Sequence, residues 1–394
     1  MRLLVADALD RAPLDELELL GVQLVHDPAL TPEDLPGALR DIDILVVRET
    51  PVSAAAIEAA PGLNLIVRAD LGAETVDVAT ASRHGIYVAH CPTPRAPAVA
   101  ELSMGMLLAL DRQLVEHTTA LRHGQGPPTA AARGLYGRRI GLAGIGRVGQ
   151  RVAAAAAGMG MDVYAWSRGL TASRAERLGV KRAASLRALA STVDTLSLHL
   201  PLTPSTRHIV DAEVLGALPD GAVLLNCSHP ALVDPAALAE LGAKRRLRLG
   251  LDLSMAPEAT PPELDGGLVY ATRGSAGATR QAEQAIATEV TRIVRAFLTE
   301  TDIPNVVNVL RNTASRYAII LRSRDEVGVL ANVLGVIKRH GLNIEEIKNH
   351  VFDGSSAACT KLRISGRPGD DCLNEIRAFG EVFHVDVVPL PNLA

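Results

Sequence analysis

The residues most able to do chemistry lie in Arg139-Ile140-Gly141-Leu142-Ala143-Gly144-Ile145-Gly146-Arg147-Val148-Gly149. An apolar strand runs into Gly-x-Gly-x-x-Gly, and an alanine-rich helix follows from Gln150 to Met159. Gly144 lets the chain turn sharply. Gly146 has no side chain to keep a pyrophosphate from the backbone, and Gly149 lets the helix pack closely on the strand. The helix start then offers free N–H groups and the positive end of its dipole to phosphates. Three glycines in a chain with 33 would carry little alone. A second apolar strand, Met161 to Trp166, completes a strand–turn–helix–strand unit. The segment therefore reads as a dinucleotide site, with Ile145, Arg147 and Val148 between its glycines.

The second strand refines the ligand. It ends Trp166-Ser167-Arg168, with no acid to hold a ribose 2′-OH. An arginine there suits a 2′-phosphate instead, which Ser167 can hydrogen-bond and Arg168 can grip through two parallel bonds. The expected cofactor is NADP or NAD, with NADP favoured. The alternative is that Arg168 is simply a solvated loop residue.

Such a site needs a scaffold, and the chain is long enough for two or three domains at 394 residues. A hydrophobic fraction of 48% with 21% charged residues is ordinary for a soluble globular protein. The net charge of −4 gives no reason to expect nucleic acid or a membrane surface as a partner. Cys91, Cys227, Cys359 and Cys372 form no metal-binding spacing and read as reduced thiols of a cytoplasmic protein. The start, Met1 to Asp7, reads as a short strand rather than a leader, and no apolar run is long enough to span a bilayer.

Residues 1–95 alternate strands (Leu3 to Ala6, Val22 to His26, Ile42 to Val47, Leu63 to Arg68, Tyr87 to Ala89) with helices (Leu14 to Leu20, Pro32 to Arg40, Ser53 to Ala59). Such alternation implies a parallel sheet with helices on both faces. Pro92, Pro94 and Pro97 mark a junction, and Ala98 to Leu110 reads as a buried apolar helix. A second α/β unit runs from about Gly137 to Gly274, with further strands at Thr195 to Leu200, Ala222 to Cys227, Arg248 to Leu253 and Leu268 to Thr272. A helix from Arg280 to Thr299 and a polar linker precede a last unit ordered β-α-β-β-α-β, which is ferredoxin-like.

Taken together, the chain resembles the D-2-hydroxyacid dehydrogenases, and most closely phosphoglycerate dehydrogenases with a C-terminal ACT domain. The resemblance is carried by Val67 to Val78, Ala98-Val99-Ala100-Glu101, the glycine fingerprint, Leu198-His199-Leu200-Pro201 with Thr206, Leu225-Asn226-Cys227-Ser228, Asp252 and Gly277-Ala278-Thr279. It implies an α/β fold of two Rossmann-like doubly wound parallel-sheet domains plus the ferredoxin-like domain. It also implies a substrate domain from residues 1–95 and 280–300, a dinucleotide domain from 96–279, a linker at 301–315 and an ACT-like domain from 316–394. By the same resemblance His199, Pro201, Thr206, Cys227, Ser228 and Asp252 join the cofactor site, and Asp70, Leu71 and Gly72 form the substrate loop.

The reaction so implied exchanges a hydride between a nicotinamide and a small 2-hydroxy or 2-oxo acid. It needs a cation for the carboxylate and a tuned acid/base. The family supplies Arg, Glu and His, and here those positions hold His229, Pro257 and Gly274. Asp70 stands where the family has a small residue, and Glu74 adds further negative charge. Two readings follow. In the first, catalysis is relocated, with Arg273 holding the carboxylate, His229 as acid/base and Glu258 orienting it, as in an active phosphoglycerate dehydrogenase-like enzyme of serine biosynthesis. In the second, hydride transfer is impaired or lost, leaving a nucleotide or amino-acid sensor. In the ACT-like unit Ser323, Asp325 and Asn343 are the candidate effector residues for a small amino acid, and relatives imply a homodimer or homotetramer.

Overall fold

The computed structural model describes residues 1–92, 94–126, 132–253, 261–262, 267–299, 302–310 and 315–390. Five short strands form a parallel sheet in the spatial order Gln23–His26, Arg2–Val5, Ile44–Val47, Leu65–Arg68, Tyr87–His90. All four residues of Ile44–Val47 are buried, as expected of a parallel strand covered on both faces. One face packs Leu3, Val5, Ile44 and Val46 against Ile286, Val290, Ile293 and Val294 of the helix Arg280–Thr299. The opposite face is closed by Leu35, Leu39, Ile57 and Ala81. The first sheet is thus completed by a helix that returns from about two hundred residues downstream in the sequence.

A second parallel sheet has seven strands in the order Val269–Arg273, Arg248–Leu253, Val223–Asn226, Thr195–Leu198, Arg139–Ala143, Asp162–Trp166, Lys181–Arg182. On one face lie Ala96–Arg112 and the fingerprint helix Arg147–Gly158. Helices Leu186–Thr192, Ala212–Ala217 and Pro235–Lys244 cover the other. Chain order reverses at Arg139–Ala143, which lies between Thr195–Leu198 and Asp162–Trp166. In open sheets of this kind, ligands bind beyond the carboxyl ends of the strands at such a reversal.

The chain divides into two compact units, Met1–Asn308, which contains both parallel sheets, and Val309–Ala394. The second unit is an antiparallel sheet in the order Ile344–Val351, Ala357–Ile364, Tyr317–Arg324, Val382–Pro389. Helices Val329–Arg339 and Asp370–Arg377 bury Val333, Val336, Ile337, Cys372 and Ile376 on one face of it.

Three expectations need correction. The helix read over Leu14 to Leu20 is a turn at Ala12–Asp15 and a 3-10 turn at Glu18–Leu20, stopped by Gly21 at φ +79°. That over Pro32 to Arg40 shrinks to Leu35–Ala38, with Pro36 in its first turn. Gln113, at φ 49°, ends Ala96–Arg112 and starts an unforeseen helix, Leu114–Arg122. The start of the expected linker is also not free. Asn305 accepts the His90 N–H through its carbonyl, Val307 donates to Val88, and Asn308 brackets the same strand by accepting from the Val88 N–H and donating to the Ile86 carbonyl. An exposed sheet edge has backbone groups to satisfy, and this segment satisfies them.

Candidate dinucleotide and substrate site

The fingerprint has the backbone its residue types demand. Gly144 sits at φ +99°, a region closed to most side chains. A Cβ there would run into the carbonyl of His199, and one on Gly149 would run into the carbonyl of Gly144. A Cβ on Gly146 would meet nothing within 4 Å. Its bareness is therefore not needed for internal packing and leaves room for a ligand. Gly146 is the N-cap of Arg147–Gly158, with no side chain capping the helix. The first N–H groups stay available to an anion. Ile145 is buried in the core, Arg147 is exposed and Val148 half-buried. These features fit a bound dinucleotide, held by the turn and the helix start.

Around the turn, Arg168 is exposed at the end of Asp162–Trp166 and donates to Ser205 Oγ at 3.2 Å. Thr206 is buried and staples the facing loop, donating to the Pro201 carbonyl at 2.7 Å and accepting from the Thr203 N–H at 2.7 Å. Ser228 donates its hydroxyl to the Leu198 carbonyl, joining two strand ends. Asn226 braces the next loop by accepting from the Ser228 N–H and donating to the His229 carbonyl. Several residues expected at the cofactor also have interior side-chain contacts. The His199 ring is buried against Ser197 Oγ at 2.9 Å, and burial pushes its pKa down to about 4. Cys227 Sγ is buried against Met106 Sδ, and burial lifts its pKa to about 11. Asp252 accepts from Thr272 Oγ1 and the Ser275 N–H through one oxygen and from the Ala276 N–H through the other. It clamps the turn after the last strand.

His229 is exposed, and its Nδ1 accepts the Ala231 N–H at 3.1 Å, capping a 3-10 turn at Pro230–Leu232. Burial, aided by the charge of Arg207, holds its pKa below the usual histidine value. Arg273 is exposed at the end of its strand, and Gly274 follows at φ +56°, donating its N–H to Leu253. Pro257 and Glu258 lie outside the described residues.

The substrate loop is drawn together by Arg68, which donates to the Leu71 carbonyl and to Glu74 Oε2. Gly72 is at φ +80° and donates its N–H to His90 Nδ1 at 2.9 Å. The His90 pKa is lowered, mainly by burial and further by Arg147 and Arg68, against an opposing contribution from Glu74. Leu71 is exposed at the loop tip. Asp70 pairs with Arg95 Nη1 at 3.3 Å. Arg95 was missed in the sequence, where it reads as part of a proline-rich junction; a lone cation between Pro94 and Pro97 was the available signal.

In the C-terminal unit, Ser323 is buried in Tyr317–Arg324, whereas Asp325 and Asn343 are exposed. Asn343 donates its N–H to Ser365 Oγ and accepts the Ser365 N–H through its carbonyl. The fold does not bury the three together. Among the described residues, no group of acidic, histidine or cysteine side chains has a metal-binding arrangement, and no helix is long and apolar enough to cross a membrane.

Residues 104–266 match the family model for the NAD binding domain of D-isomer specific 2-hydroxyacid dehydrogenases. The chain is 33% identical over 318 residues to a D-3-phosphoglycerate dehydrogenase of Methanocaldococcus jannaschii, covering 78% of this chain and 60% of that protein. It is 36% identical over 228 residues to a hydroxypyruvate reductase of Thermotoga maritima, covering 57% of this chain and 71% of the relative. Among solved structures, a Thermus thermophilus protein aligns with a TM-score of 0.66 at 31% identity, over 78% of this chain and 100% of that one. The chain spans about three fifths of the length of the curated phosphoglycerate dehydrogenases first matched.

Proposed function

Because the chain belongs to the D-isomer specific 2-hydroxyacid dehydrogenase family, we propose that it binds a nicotinamide dinucleotide, NADP in preference to NAD, and handles a small 2-hydroxy or 2-oxo acid with altered hydride transfer. One observation carries this reading. The phosphate-binding turn is intact, while His229, where the resemblance expects an arginine, commits Nδ1 to its own turn. With Nδ1 accepting, a neutral His229 carries its proton on Nε2. It can donate a hydrogen bond there but not accept one.

A bound nicotinamide supplies or accepts the hydride. The protein's share is to hold the acid, exclude water and move the hydroxyl proton. Losing a positioned proton donor costs about two to four orders of magnitude in rate. Residual activity that low would leave binding, rather than turnover, as the main measurable property. Preference for NADP rests on Arg168, exposed beside the turn with Ser205 as its neighbour.

Calorimetry with NADPH and NADH, followed by nicotinamide absorbance with a panel of 2-oxo acids, tests the proposal. We expect nucleotide binding that Gly149→Arg abolishes, and turnover far below that of the phosphoglycerate dehydrogenase relatives. Rates equal to those relatives would remove the claim of altered catalysis. Absence of nucleotide binding would remove the proposal altogether.

A further inference from the structure

We propose that Arg95, oriented by Asp70, is the cation that receives a small carboxylate beside the substrate loop, in place of the arginine that the resemblance expects at His229. The proposal rests on reading the loop at Asp70, Leu71 and Gly72 as the substrate loop. Arg95 lies just before Ala96–Arg112, and its Nη1 is tethered to Asp70 Oδ2 at 3.3 Å. Its Nε and Nη2 are buried and have no hydrogen-bond partner among the described residues. These two nitrogens flank one edge of the planar guanidinium, the edge that matches both oxygens of a carboxylate.

Position supports the assignment. The Arg95 stem lies over Gly277, where a Cβ would stand 2.7 Å from Arg95 Cδ. Arg95 therefore bridges the substrate loop, through Asp70, and the turn after the last strand of the dinucleotide sheet. In that same turn Ser275 Oγ is also buried without a partner among the described residues, while the Ser275 N–H is held by Asp252. All three orphaned groups can donate. Buried donors without acceptors are uncommon in folded proteins and call for an acceptor. An anion with two adjacent oxygens meets that demand, whereas an ammonium or a neutral apolar group does not.

Asp70 gains a purpose on this account. As an isolated carboxylate in an anion site it would oppose binding, but as the partner of Nη1 it fixes the guanidinium and presents the opposite edge. Selectivity follows. Asp70 lowers the net positive charge at the site, so a compact carboxylate is favoured over a bulky, highly charged phosphorylated acid.

The probe is oxalate, titrated by calorimetry into the full chain with and without NADPH. We expect saturable binding, weakened about tenfold or more by Arg95→Gln through loss of a charge-assisted pair. Arg273→Gln should leave it within about twofold, well below the loss expected for a charged partner. Arg95→Lys keeps the charge and removes the paired edge, so it should also weaken binding. It serves as the test if Arg95→Gln does not fold, which melting curves will show. No oxalate binding to the native protein, equal affinity in Arg95→Lys, or loss of binding only in Arg273→Gln would each overturn the proposal. Failure of NADPH to bind would strike the dinucleotide reading alone, because oxalate can still be titrated into the chain without nucleotide.

Discussion

A Cβ on Gly149 would fall on the carbonyl oxygen of Gly144, so the first and last glycines of the fingerprint are in direct backbone contact. The turn and the helix that follow are held at a spacing no larger residue permits. Gly149→Ala must push the helix start off the turn. Overpacking of this kind costs about 1–3 kcal/mol. The expected result is a lower melting temperature and at least ~10-fold weaker NADPH binding, since each 1.4 kcal/mol is tenfold. Gly146→Ala, facing open space, should fold normally while still losing nucleotide affinity.

Replacing Arg168 should separate the two dinucleotides. Arg168→Asp removes the group that would pair with a 2′-phosphate and puts an acid where a ribose hydroxyl would be held. NADPH affinity should fall by about tenfold or more, as for a charge-assisted pair, while NADH affinity holds or rises. Parallel titrations with both nucleotides check this, and equal losses for the two would count against the NADP preference.

Asp252 satisfies three donors in the turn that leads from the second sheet to the returning helix. Asp252→Ala should destabilise Met1–Asn308 by on the order of 2–3 kcal/mol, because hydrogen bonds to a charged group are worth about 1.5–3 each and are only partly replaced by water. Urea unfolding measures the loss. Asp252→Asn should recover part of it by keeping an acceptor.

His199 makes stability depend on acidity. Its folded pKa, about 4, lies below the ordinary histidine value of 6.5. As pH falls below 6.5 the unfolded chain takes up a proton that the folded chain refuses, so stability declines toward pH 4. The slope is at most about 1.4 kcal/mol per pH unit for one proton. Urea titrations at several pH values should show a shallower decline in His199→Gln than in the native protein. Identical slopes would mean that His199 is not held neutral by the fold.

If catalysis is altered as proposed, introducing the side chains that the resemblance implies, with His229→Arg, Pro257→Glu and Gly274→His, should raise turnover of a 2-oxo acid by about two orders of magnitude or more. The cost falls at Gly274. Its φ of +56° puts any side chain in the left-handed region, which costs about 1–2 kcal/mol. Steady-state rates and melting curves on the triple variant test both expectations.

Much of this protein was legible without coordinates. The glycine fingerprint, the alternation of strands and helices and the antiparallel C-terminal unit follow from local rules. Backbone sterics decide where glycine must stand, and hydrophobic periodicity decides which face is buried. Other assignments depended on burial or on partners distant in sequence. The His199 ring lies in the core, and the Asp252 carboxylate accepts hydrogen bonds from its own chain. The pairing of Asp70 with Arg95 joins the end of one strand to a junction 25 residues later. No sequence pattern specifies whether such a pair meets, because that depends on how two sheets and their loops pack. The sequence by itself determined the dinucleotide turn, whose constraints are local. Only the tertiary structure decided that Arg95 meets Asp70 and that its Nε and Nη2 are buried, because desolvation and pairing are properties of the folded whole.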